Sequence, residues 1–465
     1  MLESHFIPIL IGTLAIFTVG YAIIKGYNAK GVLFTVGIIT LLYAFALNKS
    51  PVKESSGFFF HDISTYIYSL FEDRGGGLGL IIMILIGFSA YMSHVGANSV
   101  VIRVLSKPLK HIKSPYVLLI GGFFLGSLMS FAINSATALG VFLMATLFPI
   151  LTRMGISAPS AAAVCATTAI VNLSPTSADV VLAAEKANAD LIAFSFKTIV
   201  PMSIITIIVV AIVHFFWQRY CDRKEGLTNQ TAVTIAQNTH ENDHNDVPAF
   251  YFILPFLPIL LILLFNGTCK IGDKVLPELS LGAIIVLTII LTAILEFCRS
   301  FDAKKTFAGL EVCYQGMSDA FSSVVVLLVS AGVFAHSLGV IGFTEGLISL
   351  VENFGAAAVV MMLALVLITL LVSIAAGSGN AAFFAFVELA PQLATQLGIN
   401  PAFLIAPMMQ VSNAGRALSP VSGVVVAVSG SAQLSPLLLV KRTSVPLLAG
   451  ILVIIVYSMI FIPVQ

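Results

Sequence analysis

The sequence is short of charge, and this shortage excludes most classes of soluble protein. Charged residues make up 10% of the 465 residues, there is one tryptophan, and the mean hydropathy is +1.03. A soluble domain carries about a quarter charged residues. The net charge of +1 leaves no excess of basic side chains for binding a nucleic acid.

The chain also lacks the motifs of disulfide frameworks and of several classes of soluble enzyme. Its five cysteines are scattered and odd in number, and none forms a CxxC pair. The patterns GxGxxG, GxxxxGK[ST] and GxSxG do not occur, and the one HExxH string, HENDH at 240–244, falls in a polar segment rather than in a predicted helix. We therefore expect a protein that is not an enzyme and that has no disulfide framework, metal or cofactor.

Hydrophobic residues are abundant in the chain. They make up 58% of it, and apolar windows of membrane-spanning length recur from end to end. A helix needs about 20 residues to cross the hydrocarbon core. The N-terminal stretch MLESHFIPILIGTLAIF lacks a basic start and a cleavage site, so we expect a retained first helix. The sequence predicts an all-α, polytopic membrane protein.

One long polar segment, residues 219–247, divides the chain into two halves that repeat one another. Its composition is typical of a solvated cytoplasmic linker between residues 1–218 and 248–465. Identical residues recur in order at an offset of 243: Gly96/Gly339, Ser130/Ser373, Ser135/Ser378 and Gly155/Gly398. Beyond them the offset becomes 245: Ser174/Ser419, Pro175/Pro420, Ser177/Ser422, Thr198/Thr443 and Pro201/Pro446. The ordered series predicts an internal repeat.

Basic residues indicate that the two halves face opposite ways. The segment 103–113 carries four Lys or Arg residues, whereas its counterpart 346–356 carries none. The segment 298–306 is basic, whereas its counterpart 60–74 is mainly acidic. Basic residues favour the cytoplasmic side. We therefore predict inverted repeats, which are typical of secondary transporters, with both termini periplasmic.

Each repeat is expected to contain five crossings and one re-entrant hairpin. The scaffold helices lie in 1–113 and 249–356, and the hairpins are 114–153 and 357–396. Lys113 and Arg153 flank the first hairpin on both sides, so its two ends share one face. The crossings are 6–24, 31–48, 77–97, a broken helix 157–186 and a closing helix 196–217, then 249–266, 279–297, 319–339, a broken helix 401–432 and a closing helix 443–462.

Small polar residues mark the predicted tips of both hairpins. The first tip reads NSAT and includes Asn134, Ser135 and Thr137; the second reads GSGN, from Gly377 through Ser378 and Gly379 to Asn380. Non-helical backbone at membrane depth is tolerated only where protein buries it or water reaches it. We therefore interpret both tips as parts of a substrate site near the bilayer midplane.

A second polar break follows each hairpin, and proline interrupts the helix there. The ends of broken helices attract ions. We expect these breaks to contact the substrate or a coupling ion. The candidate residues for either ligand are Ser174, Pro175, Thr176, Ser177 and Asp179 in the first repeat, and Ser419, Pro420 and Ser422 in the second. Asn413, just before the second break, is a candidate for the substrate alone.

Arg416 lies within an otherwise uncharged span, where arginine is costly. Its planar guanidinium suits a carboxylate, so Arg416 either binds an anion or pairs with Asp179. Asp179 has three possible roles that the sequence does not rank: a proton carrier, a cation ligand, or the counter-charge of Arg416. We expect His94, His214 and His336 to be packed or interfacial, and the segments 56–74 and 300–318 to form interfacial helices. Glu388 is either functional or a boundary residue.

Five strings resemble the DcuC-type anaerobic C4-dicarboxylate carriers of the ion-transporter superfamily over nearly the whole chain. They are NSATALGVFLMATLFP, SPTSADVVLAA, AGSGNAAFFAF, SNAGRALSPVSGVVVAV and HFFWQRYCDRKE. The resemblance implies a homodimeric elevator transporter of the bacterial inner membrane. It implies that succinate, fumarate, malate or aspartate is moved under anaerobic conditions, by succinate efflux or fumarate–succinate exchange. The residues leave three driving forces open: a coupled H⁺, a coupled Na⁺, or exchange alone.

The sodium–dicarboxylate branch of that superfamily has Ser-Asn-Thr at the tips. Here the tips read Ser135-Ala136-Thr137 and Ser378-Gly379-Asn380, so the second residue is not an amide. The resemblance carries Ser135, Thr137, Ser378 and Asn380 over as substrate residues. The alternatives are a carrier of the same fold for another small organic anion or amino acid, a channel, and an intramembrane enzyme. The enzyme would need a nucleophile paired with a base, or two facing aspartates.

Overall fold

The computed structural model describes residues 2–52, 55–105, 114–227, 247–265, 270–271, 274–346 and 357–465. Most of the predicted linker, three of the four basic residues of 103–113 and nearly all of 346–356 lie outside these ranges. The described helices are α1 Leu2–Ile24, α2 Ala29–Ala46, α3 Phe59–Gly76, α4 Leu78–His94, α5 Ala97–Leu105, α6 Pro115–Met129, α7 Ala136–Arg153, α8 Ala158–Thr167, α9 Ala178–Lys186, α10 Leu191–Lys224, α11 Ala249–Leu264, α12 Leu281–Ser300, α13 Ala303–Ile341, α14 Ala357–Ala376, α15 Gly379–Phe386, α16 Leu389–Leu397, α17 Pro401–Arg416, α18 Gly423–Ser431 and α19 Pro436–Phe461. Two-residue strands, β1 Lys270–Ile271 and β2 Lys274–Val275, pair antiparallel.

Seven of the described helices are long and apolar enough to cross a membrane, or eight with the bent pair α3–α4. One predicted crossing, 249–266, corresponds to a shorter apolar helix, Ala249–Leu264. Pro255 and Pro258 lie within it, and residues 249–256 are 3₁₀ helix. The predicted linker begins too early, since α10 continues to Lys224.

Helix α13 is a continuous helix of 39 residues, about 58 Å long. The expected separation into an interfacial helix at 300–318 and a crossing at 319–339 is therefore wrong. No proline or other break interrupts this stretch, and a π-helical turn at Phe321–Val325 joins its two parts. By contrast, a 43° bend near Gly77 separates α3 from α4.

Close glycine contacts fix the directions of the helices around α13. A Cβ at Gly316 would lie 3.0 Å from the Cα of Gly87, and one at Gly309 would lie 2.9 Å from the Tyr91 ring. These pairs show that α13 runs antiparallel to α4. Helix α2 runs parallel to α13, because Lys30 and Lys49 donate to the carbonyls of Ser322 and Ile341, at 2.9 Å and 3.0 Å.

Residues 114–153 fold as two antiparallel helices. A Cβ at Gly122 would lie 2.9 Å from Leu147, and one at Gly126 would lie 3.0 Å from Leu143. As the residue number rises along α6, the number of its partner on α7 falls by the same amount. The two helices therefore run antiparallel. Residues 130–135 form the turn between them. Glycine residues on α6 permit this close approach.

Residues 357–396 form α14, a turn at Gly377–Ser378, and the short helices α15 and α16. Gly377 has φ of +67°, in the left-handed region that glycine adopts most easily. The hydroxyl of Ser373 donates to the Ser412 carbonyl at 2.6 Å. This hydrogen bond joins α14 to α17 just before the turn.

A buried ion-pair cluster joins α10, α19 and the start of α8. The Arg442 side chain is fully buried and contacts Asp222 at 2.8 Å and Glu225 at 2.6 Å. Asp222 also accepts hydrogen bonds from Ser157 and Ser160. Burial raises the pKa of Glu225, but hydrogen bonds from Arg442 and Lys441 outweigh burial and hold that pKa below its usual range. The cluster satisfies charges that would otherwise be costly in the interior.

Candidate functional site

The two hairpin tips are built alike around a serine that caps the following helix. The Ser135 hydroxyl accepts from the Ala138 N–H at 3.3 Å, and the Ser378 hydroxyl accepts from the Ala381 N–H at 3.3 Å. Each serine therefore satisfies one of the free donors at a helix start. Both hydroxyl hydrogens still have the capacity to donate, and both helix starts present a positive dipole end.

Both tips reach one small polar cavity between the two halves of the chain. Of the predicted site residues, Asn134, Ser177, Asn380, Asn413 and Arg416 line it. Three of these five are amides and one is a cation, so the lining offers mainly hydrogen-bond donors and acceptors of low basicity. The cavity volume is about 20 Å³, which is room for about one water molecule.

The remaining predicted tip residues hold the tips against the helix breaks. A Cβ at Gly423 would lie 2.9 Å from the Thr137 hydroxyl, so the first tip touches the break of the second repeat. A Cβ at Gly377 would lie 2.9 Å from the backbone of Ser422, and one at Gly379 would lie 2.6 Å from the Ser412 carbonyl. Glycine at these two positions therefore permits close backbone packing.

Both predicted broken helices are interrupted in the structure. Residues 168–177 separate α8 from α9, and residues 417–422 separate α17 from α18. Within the first break, the hydroxyls of Ser174 and Thr176 lie 2.9 Å apart, beside the buried Pro175. Two serine hydroxyls accept backbone hydrogen bonds at the second break. Ser419 accepts from the Val421 N–H, on the far side of Pro420, and Ser422 accepts from the Val425 N–H. Asn172 and Ser177 of the first break line the cavity, whereas the other predicted break residues do not: Ser174, Pro175, Thr176, Ser419, Pro420 and Ser422.

Asp179 is the charged centre of a buried hydrogen-bond cluster. The Asn172 amide donates to its two oxygens at 2.6 Å each, and the Ser177 hydroxyl donates at 2.5 Å. The Asn413 amide, from the other repeat, donates at 2.8 Å. The side chain is 1% exposed. The carboxylate charge is thus balanced by neutral donors.

Arg416 faces the cavity and does not pair directly with Asp179. Its Nη2 donates to the Ala169 carbonyl at 2.7 Å, at the C-terminal side of α8. Within the described ranges, no contact of 4 Å or less joins the two charges. Of the two alternatives for Arg416, direct pairing with Asp179 is absent. A helix C-terminus stabilises the guanidinium, and the residue lines the cavity.

Gln410 and Ser203 are site residues that the sequence does not indicate. Gln410 accepts from the Asn172 N–H at 2.8 Å and donates to the Asn172 carbonyl at 3.0 Å. Ser203 donates to that same carbonyl at 2.7 Å. These bonds satisfy the unwound backbone at the first break. Both residues lie within apolar runs, so only the helix packing brings them to Asn172.

The other singled-out residues lie outside this cavity. Glu388 accepts from Lys186 at 2.8 Å and from Arg74 at 3.2 Å, so it joins α3, α9 and the second hairpin. The buried His214 contacts Thr167 and Gln218, and His336 contacts the Pro51 carbonyl. His94 lines a second cavity with Glu296 and Arg299. In the ranges that the structure describes, no three His, Cys, Asp or Glu residues group as metal ligands.

Comparisons with known proteins agree along almost the whole chain. Residues 7–463 match the profile of the DcuC family, described as C4-dicarboxylate anaerobic carrier. The anaerobic C4-dicarboxylate transporter DcuC of Escherichia coli K12 is 50% identical over 98% of this chain and 97% of its own. A probable anaerobic C4-dicarboxylate transporter DcuC of Vibrio cholerae is 47% identical, with 99% of each chain covered.

Two solved transporter structures share the fold at low sequence identity. The Alcanivorax borkumensis YdaH transporter superposes with a TM-score of 0.64 at 16% identity, covering 93% of this chain and 98% of its own. Neisseria gonorrhoeae MtrF, from a class of antimetabolite efflux pumps, has a TM-score of 0.59 at 13% identity, with 94% and 96% covered. At this identity the likeness concerns the fold alone. The curated relatives and the family are transporters rather than enzymes.

Proposed function

Since the chain belongs to the DcuC family of C4-dicarboxylate anaerobic carriers, we propose that it is a secondary transporter of C4-dicarboxylates. Its substrates are succinate, fumarate, malate and aspartate, moved by succinate efflux or fumarate–succinate exchange. One observation carries the proposal: both hairpin tips, the first helix break and the end of α17 meet at a cavity lined by Arg416 and four asparagine amides.

The cavity chemistry fits a small molecule with two carboxylates. Arg416 offers a planar pair of donors for one carboxylate. Asn134 and Asn380 place an amide at each tip, beside the helix starts capped by Ser135 and Ser378, for the other. The small cavity volume means that a tip moves outward when the substrate enters.

Asp179 is our choice for the site of the coupling ion. Its carboxylate is buried, lies next to the cavity through Ser177 and Asn413, and has no cationic partner within 4 Å among the described residues. Binding a proton or Na⁺ there would neutralise a charge next to the dianionic substrate. Intramembrane carboxylates of this kind serve as ion sites in transporters.

We propose an elevator motion of two inverted repeats, in a homodimer of the bacterial inner membrane with periplasmic termini. The antiparallel directions of α4 and α13, which correspond at the offset of 243, support the inversion. In this proposal the hairpins and the broken helices move together as one unit. The contacts of Thr137 with Gly423 and of Asn172 with Gln410 support that unit, because they join its parts across the repeats. Glu388 and Arg74 form an ion pair between that unit and α3.

Exchange in proteoliposomes tests this function. Vesicles are loaded with labelled succinate, and efflux is followed after adding external fumarate, with and without a Na⁺ or pH gradient. We expect fumarate to accelerate efflux in the wild type, and Arg416→Ala and Ser378→Ala to reduce that acceleration. If monocarboxylates or neutral amino acids accelerated efflux and fumarate did not, the protein would be a carrier of another substrate. Release without any counterflow effect would indicate a channel.

A further inference from the structure

A second cavity, of about 250 Å³, shares no lining residue with the cavity at the hairpin tips. It is formed where the ends of α4 and α12 meet the start of α13 and residue Val247. Arg299 and Lys305, from the basic segment 298–306 that the sequence places on the cytoplasmic side, line it, and Arg103 donates to the carbonyl of the lining residue Val247 at 2.8 Å. We infer that this cavity binds the phosphate of a membrane phospholipid headgroup on the cytoplasmic face.

A buried hydroxyl without a partner is the first observation. The Tyr91 side chain is 0% exposed and lines the cavity, and its hydroxyl makes no hydrogen bond within the described part of the chain. Gly309 leaves the space that the ring occupies, since a Cβ there would lie 2.9 Å from Cε2. Burying a polar group without a hydrogen-bond partner costs free energy, so we expect a ligand atom to hydrogen-bond to this hydroxyl.

The balance of charge favours a phosphodiester. Arg299 and Lys305 line the cavity with one acid, Glu296, which gives the lining a net positive charge. Glu296 accepts a hydrogen bond from Tyr251 and lies 3.8 Å from Arg299, so it offsets Arg299 only in part. Lys305 is exposed and has no carboxylate within 4 Å among the described residues. A phosphodiester carries one negative charge, which this lining would neutralise.

Aromatic side chains around the basic residues favour a lipid as the source of the phosphate. Phe297, Phe301 and Phe307 are 43%, 80% and 66% exposed on the helix ends that form the cavity. Exposed aromatic rings at a helix end lie at the level of the headgroups, where acyl chains contact them. Basic pockets between helices on the cytoplasmic side bind anionic headgroups.

Lys304 and Lys305 provide a matched test. Both are exposed and their backbone N–H groups donate to the same Asp302 oxygen, but only Lys305 lines the cavity. Wild type, Tyr91→Phe, Lys305→Gln and Lys304→Gln are purified in mild detergent, and bound phospholipid is counted by native mass spectrometry. We expect Lys305→Gln and Tyr91→Phe to reduce retention by about fivefold, and Lys304→Gln to match the wild type.

Three outcomes would overturn the inference. Equal losses for Lys304→Gln and Lys305→Gln would indicate diffuse surface charge, and unchanged retention in both Lys305→Gln and Tyr91→Phe would remove the site. Displacement of the lipid by millimolar inorganic phosphate or glycerol phosphate would assign the cavity to a soluble phosphate instead. Thermal melting of each variant checks its folding, and the readout does not depend on which substrate is transported.

Discussion

The side-chain amide of Asn413 donates to Oδ2 of Asp179 at 2.8 Å, across 234 positions of the chain. Asn413 lies near the end of α17, before the second break, and Asp179 lies at the start of α9, after the first break. One hydrogen bond therefore joins the two repeats at the wall of the cavity between the hairpin tips. Movement of either break changes the surroundings of the buried carboxylate.

Asp179→Asn removes the charge from this cluster while keeping its shape. The amide of Asn172 would then face a second amide, and the variant protein would lose the carboxylate proposed to bind the coupling ion. We expect uptake driven by a Na⁺ or pH gradient to fall by about tenfold or more, since each unsatisfied buried donor costs about 1–3 kcal/mol. Labelled succinate uptake in proteoliposomes measures it. The exposed Asp73→Asn is the control, and wild-type gradient-driven uptake by Asp179→Asn would contradict the assignment.

Arg416→Lys tests whether a planar pair of donors is needed. Lysine keeps the charge but loses the fork, and it loses the geometry of the contact with the Ala169 carbonyl. We expect the half-saturating succinate concentration to rise about tenfold, because losing one charge-assisted hydrogen bond costs about 1.5–3 kcal/mol. Concentration-dependent uptake provides the value. Arg223→Lys, at an exposed position on α10, should leave it unchanged; an equal effect in both variants would argue against a carboxylate contact at Arg416.

Gly377→Ala tests the turn of the second hairpin. Alanine there would adopt φ of +67° with its Cβ 2.9 Å from the Ser422 backbone, which cannot move as a flexible side chain can. We expect a loss of about 1–3 kcal/mol in stability, with a larger loss of transport because the tip shifts. Thermal melting and exchange are measured together.

Gly430→Ala is the matched glycine control for this turn. It lies in α18 with no heavy atom within 4 Å of the added Cβ, so alanine should be neutral or slightly stabilising there. If Gly377→Ala behaved like Gly430→Ala, the turn would tolerate a side chain, and the close packing against Ser422 would not matter for transport.

Arg442→Met leaves Asp222 buried without its cationic partner. The Arg442 side chain is fully buried and that of Asp222 is 2% exposed. Breaking such a pair costs about 3–5 kcal/mol, whereas the neighbouring Lys441→Met removes a 62% exposed cation and should cost about 1 kcal/mol or less. Thermal melting in detergent compares the two. The double variant Arg442→Met/Asp222→Leu should lose less stability than Arg442→Met alone; additive losses would show that the charges act independently.

The sequence by itself determined the class of the protein and the positions of its interruptions. Scarcity of charge requires a lipid environment, and apolar runs of about 20 residues require helices, whatever their neighbours. Glycine and proline restrict or free the backbone at their own positions, at Gly377 and Pro175. The turn after α14 and the break after α8 can therefore be predicted from the sequence alone. The repeat is predicted from identical residues at a fixed offset, among them Ser135 and Ser378, and each of these serines caps the helix that follows it.

Only the tertiary structure decided which polar groups meet. The partner of a buried side chain depends on which helices are adjacent, and hydropathy carries no information about adjacency. Arg416 therefore contacts a carbonyl rather than Asp179, Gln410 satisfies the backbone of Asn172, and Arg442 meets Asp222 inside the bundle. The sequence also did not reveal that α13 is one helix, because its polar first half resembles a surface helix until it packs along α4.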